Sequence, residues 1–247
     1  MAKKVRTPPP PRRVQAPKQR HTGGGGLTPE RKRSILWGAG GAVAIALVVV
    51  LITVFTGGKS SSQAGNVANI RSALSAARCT VSTSPAAKDV THITSFDEKL
   101  RYTTYPPVSG RHYYAPAIWG NYTQAVDPRQ AVHNEEHGGI VIWVGPDVSS
   151  AERRQISDFY DESPNAMLVT PIEDTSKGTV YPKHAKPDSK IFLTSWTVDI
   201  KNGNIVHPQQ VIAGCTKFNE KAFTAFRDEF RGKGPERYPV SILTPGT

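Results

Sequence analysis

Hydrophobic positions in this chain fall into one long unbroken run and several short periodic stretches. Residues 35–55 contain no charged side chain over 21 positions; as a helix they would span roughly 30 Å, the thickness of a bilayer core. Beyond a Gly/Ser stretch, Val67, Ile70, Leu74 and Ala77 recur at helical spacing, which predicts a short stalk helix over residues 66–78. Residues 80–88 have no such period and read as a loop. Asp127 and Pro128 suit the opening of a helix, and Gly138 and Gly139 suit its close, so residues 128–137 are predicted helical and the apolar run 140–144 a buried strand. Ile156, Phe159 and Tyr160 make one face of a second helix over 149–160. Strands are expected at 166–170, 190–200 and 205–212, the last two joined by the hairpin signal Asn202 and Gly203. Pro208 should break that last strand or confine it to a sheet edge. Asn219 opens a final helix over 220–231, with Phe223, Phe226 and Phe230 on one side.

Strands interleaved with helices in this way predict an α+β fold, a single compact domain with a mixed β-sheet and flanking helices. The division expected is a disordered basic tail at 1–33, a transmembrane helix at 35–55, a spacer and stalk at 56–78, and a domain at 79–247. The sequence contains no internal repeat.

Charge sharpens this division. Residues 1–33 hold ten Lys or Arg against the single acid Glu30, so the tail carries nine of the eleven excess positive charges. The remainder is nearly balanced, which removes the main support for nucleic-acid binding by the folded part. The tail is Pro-rich from Thr7 to Pro11 and broken by Gly23 to Gly26, a composition that cannot bury enough apolar surface to offset chain entropy. Arg31, Lys32 and Arg33 abut the apolar run, so the positive-inside bias places the tail in the cytoplasm, facing anionic lipids, and the domain outside the plasma membrane. A cleaved signal peptide ending near Ser62, Gln63 and Ala64 is the rival reading; the apolar run is longer than a usual signal core and the basic region before it too long. Cys79 and Cys215, both on the outer side, are expected as a disulfide in an oxidising compartment. Service as metal ligands is the alternative, against which stands the lack of any Cys-x-x-Cys or third sulfur.

The candidate chemistry lies in Val-His-Asn-Glu-Glu-His-Gly-Gly, residues 132–139. One helical turn separates His133 from His137, Glu136 shares their arc, and Glu135 points the opposite way. Two imidazoles and a carboxylate suit a borderline metal such as zinc or copper, and the run also satisfies the inverted zinc-protease pattern His-x-x-Glu-His. A polar network tying the helix to its neighbours, or a solvated face, would use the same residues. Upstream, residues 102–122 form an aromatic loop with His112 near its centre, suited to carrying binding groups or to packing over the sheet.

With His92, the Pro106-Pro107-Val108-Ser109-Gly110-Arg111-His112 run, Trp119-Gly120-Asn121-Tyr122, the His133 motif and the stretch Glu220 to Pro239 ending in Pro235-Glu236, the chain resembles the bacterial family called domain of unknown function 3105 over about residues 75–240. Arg111 stands where that family usually has Pro. The resemblance implies a protein anchored in or exported through the membrane and assigns it no activity. The reading is then an extracytoplasmic transition-metal site, copper or zinc, formed by His133 and His137 with His112 and with His92 or Glu136. If Glu136 is not a ligand it can serve as a catalytic base on metal-bound water, which makes a metal-dependent hydrolase one alternative. A cell-envelope interaction module with a structural histidine network is the other. No Gly-x-Ser-x-Gly elbow and no phosphate-cradling loop is present, so serine-hydrolase and nucleotide-dependent chemistry are disfavoured. His184 reads as an exposed loop residue. Oligomeric state is not indicated.

Overall fold

A five-stranded mixed sheet in the order β1-β7-β6-β4-β5 forms the middle layer of the computed structural model, in which residues 65–172 and 189–247 are described. Its strands are β1 (Thr80–Pro85), β4 (Ile140–Val144), β5 (Met167–Pro171), β6 (Ile191–Lys201) and β7 (Asn204–Cys215). β4 and β5 run parallel, whereas β1, β7, β6 and β4 pair antiparallel. The expected mixed sheet of an α+β domain is therefore present. A separate two-stranded parallel sheet joins β2 (His92–Ile93) to β3 (His112–Tyr113). The basic tail, the apolar run 35–55 and the loop holding His184 lie outside the described residues. Among the described residues no helix is long and apolar enough to cross a membrane.

The period-two alternation of the strands sorts side chains onto the two faces of the sheet. Ile140, Ile142, Val144, Leu193 and Ala213 join a core with helices α1 (Val67–Ala76), α3 (Ser150–Glu162) and α4 (Glu220–Phe230). Val141, Trp143, Leu168, Phe192 and Ile212 face the other way, onto Ala131 and Val132 of helix α2 (Pro128–Glu136) and onto Val108 and Trp119 of the aromatic loop. β4 is buried at all five positions because both of its faces are covered.

The structure corrects three details. The segment expected as a stalk is part of the domain: Val67, Ile70 and Leu74 are buried in the first core together with Phe226 and Phe230, since the stripe that makes α1 amphipathic has α4 to cover it. Residues 80–85 form a strand where a loop was expected. The last strand runs through Pro208 inside the sheet; a register shift between Thr197 and Asp199 on β6 takes up the irregularity there, and the Pro208 carbonyl still accepts from the Ala86 amide. The aromatic loop does both things asked of it, burying Tyr102, Val108 and Trp119 while carrying His112.

Candidate metal centre

Helix α2 is short and polar, yet almost wholly enclosed. The Asp127 side chain accepts from the Arg129 amide at its start. The Asn134 side chain then replaces a strand neighbour for Ala117, accepting from its amide at 2.9 Å and donating to its carbonyl at 2.8 Å. At its end Gly138 takes φ +89°, a left-handed turn that releases the chain into β4. Residues 232–236 cross this end of the helix: the Gly232 amide donates to the Gly138 carbonyl and the Glu236 amide to the Glu136 carbonyl, so orphan acceptors of the helix C-terminus are satisfied.

Onto this frame the fold brings four histidines and two glutamates. β2 and β3 pair with His92 directly opposite His112, which sets their rings 4.6 Å apart. The His92 ring stacks on that of His133, parallel and 4.8 Å away. One ligand atom each from His92, His112, His133 and Glu136 lies within 4.8 Å of the other three, a set that can hold a metal ion. Glu136 Oε2 is 3.0 Å from His112 Nε2 and 3.2 Å from His92 Nε2. Bonds of about 2.0–2.1 Å to one ion put neighbouring donors about 3–3.4 Å apart, so these contacts have the length of a coordination edge. His137, expected among the ligands, stands beside the set rather than in it, its Nε2 at 3.0 Å from His133 Nε2 and 3.0 Å from Glu236 Oε2. Glu136 takes its place.

Backbone carbonyls fix two of the rings. His133 Nδ1 lies 2.8 Å from the Tyr113 carbonyl oxygen and His112 Nδ1 2.7 Å from that of Gly110. A carbonyl only accepts, so each Nδ1 carries the proton, and in the neutral ring each Nε2 presents a lone pair to the cluster, the outer-shell arrangement typical of metal-bound histidines. Burial holds His133 below the usual histidine range, with the Tyr113 carbonyl pulling the other way. Burial, helped by His133, takes His137 down to about 4 even with Glu236 beside it. For Glu136, burial pushes up but the close contacts with His112 and His92 outweigh it, leaving the carboxylate below its ordinary value. Glu236 is raised, by burial and then by the negative charge of Glu136. At neutral pH His133 and His137 are therefore unprotonated and Glu136 is ionised.

Exposed aromatic rings lie near the cluster: Phe96 stacked on Tyr113 at 3.9 Å, Tyr114 beyond it, and Tyr238 edge-on to His137 at 4.6 Å. Cys79 and Cys215 form the expected disulfide and are not part of the centre. Sequence reasoning reached Glu236 only as part of the stretch Glu220 to Pro239 that resembles the family's C-terminal part; its place beside His137 was missed, because that partner is 99 positions away.

Fold and cluster together define a class, an α+β domain with a His₃Glu group, buried except at His92, at the end of a polar helix. Compared with known protein families, residues 92–238 match the one described as protein of unknown function (DUF3105). The match spans more than half of the chain, and the chain belongs to that family. No curated protein and no solved structure matches it.

Proposed function

We propose that this protein holds one copper or zinc ion outside the cytoplasm on His92, His112, His133 and Glu136, in a domain tethered to the plasma membrane by residues 35–55. The observation that carries this reading is His112. Its side chain is completely buried, and both ring nitrogens face oxygen acceptors, the Gly110 carbonyl at 2.7 Å and Glu136 Oε2 at 3.0 Å. A neutral imidazole has only one N–H. The second contact therefore calls for an extra proton or for a cation between Nε2 and Oε2, and a cation there also meets the lone pairs of His133 and the exposed His92. Three nitrogens and one oxygen suit copper or zinc. Glu136, shared by two imidazoles, is assigned to holding the ion and not to acting as a base. The disulfide supports an oxidising compartment, and the basic tail supports a cytoplasmic N-terminus against anionic lipids.

Metal analysis of the purified full-length chain tests this. About one copper or zinc per chain is expected in the wild type, with loss in His112→Ala and His133→Ala; a wild type that retains neither ion refutes the reading. The exposed rings of Phe96, Tyr114 and Tyr238 favour a second one, an envelope interaction module in which the histidines only support the contact surface. Partner binding that survives chelation would select it.

A further inference from the structure

Donor atoms continue outward from the cluster. Glu236 Oε2 lies 3.0 Å from His137 Nε2, which lies 3.0 Å from His133 Nε2, itself one of the four donors of the centre. Exposure falls along this line: the Glu236 side chain is 40% exposed, that of His137 14%, and His133 as a residue 5%. Both inner steps are shorter than about 4 Å, twice a metal–ligand bond, so an ion bound to one donor is already within reach of the next. Ligand exchange along the line needs no return of the ion to water.

We propose that Glu236 and His137 form a capture site for a divalent transition-metal cation at the mouth of the cluster, from which the ion passes to His133 and into the buried centre. This rests on the metal-binding reading above. Among the described residues, Glu236 is the outward-facing carboxylate of this group, since Glu136 is only 9% exposed at its side chain. An exposed carboxylate beside an imidazole draws a cation before neutral rings can hold it. The backbone explains why Glu236 stays in place without any ion: its amide is bonded to the Glu136 carbonyl, and the preceding Lys233 carbonyl accepts from the Val198 amide of β6. His92 also faces solvent, so loss of the capture site should slow loading without abolishing it.

The test uses the full-length chain stripped by chelation and mixed with Co²⁺ alone in a stopped-flow spectrophotometer. Glu236→Gln and His137→Gln should each slow uptake about tenfold while reaching the wild-type stoichiometry and absorption spectrum. In Glu236→Gln the dependence of the rate on ionic strength should also weaken. Unchanged rates overturn the proposal, as does a stoichiometry that falls by one ion in both variants, which would mark a permanent second site. A wild type that takes up no Co²⁺ and retains no copper or zinc removes the metal reading itself, a result distinct from either.

Discussion

Glu135 and Glu136 are neighbours on α2 with opposite surroundings. Glu136 reaches two imidazoles, whereas the Glu135 carboxyl is fully enclosed on the sheet side, with neither oxygen in hydrogen-bond contact. Burial pushes its pKa well above the usual carboxylate range, with the nearby Thr194 hydroxyl pulling the other way; that hydroxyl's own hydrogen bonds are to the Trp143 indole N–H and the Val141 carbonyl. A raised carboxyl favours the fold while it is protonated: its contribution is complete below the unfolded value of 4.5 and is lost as pH rises through the folded value. Glu135→Gln, which cannot ionise, should therefore stabilise the domain at pH 7–8 by roughly 1–3 kcal/mol and make no difference near pH 4. Thermal melts of both proteins across that range check it; equal melting points at pH 8 would refute it. The helical arc alone was enough to set Glu136 with His133 and to turn Glu135 away. It could not show that His137 falls outside the set, because that depends on His92 and His112 arriving from another sheet. Nor could it reveal Glu236, which only a chain crossing brings near.

At the level of elements, the centre depends on how closely residues 232–236 pass the end of α2. A Cβ added at Gly234 would sit inside contact distance of the Gly138 backbone nitrogen and 2.6 Å from the Glu135 carbonyl oxygen, so the crossing requires a residue without a side chain. Gly234→Ala should push this segment away from the helix, displace Glu236, and cost on the order of 1–3 kcal/mol by overpacking. The expected signature is a lower melting point together with slow Co²⁺ uptake of the Glu236→Gln kind; an unchanged melting point would mean the segment yields freely. Legibility also varied by element. α2, α3 and α4 were readable because their caps and apolar stripes are local. β1 was not: its sequence Thr-Val-Ser-Thr-Ser-Pro is mostly exposed at the sheet edge and looks like a loop until β7 pairs with it. β2 and β3, each two residues long, are too short for any periodicity, although they carry His92 and His112.

Across the whole molecule, the two faces of the sheet have separate duties. On one, α1, α3 and α4 form an apolar layer, and the Cys79–Cys215 bond ties the end of α1 to the end of β7 across 136 positions. On the other, the ligands come from segments at 92, 112 and 133–136, which only the folded chain brings together. A metal ion that binds only when these segments have met stabilises the native state by mass action, by about 2.7 kcal/mol at a free concentration 100 times its dissociation constant. For a domain of this size that corresponds to a rise of roughly 5–10 °C in melting temperature. Adding Zn²⁺ or Cu²⁺ to the chelator-treated chain should produce this rise, and His112→Ala should remove it while keeping the disulfide and the first core intact. If instead the melting temperature of the wild type does not move with either ion, the four donors are a hydrogen-bonded scaffold, and the exposed rings of Phe96, Tyr114 and Tyr238 become the place to look for what this domain binds.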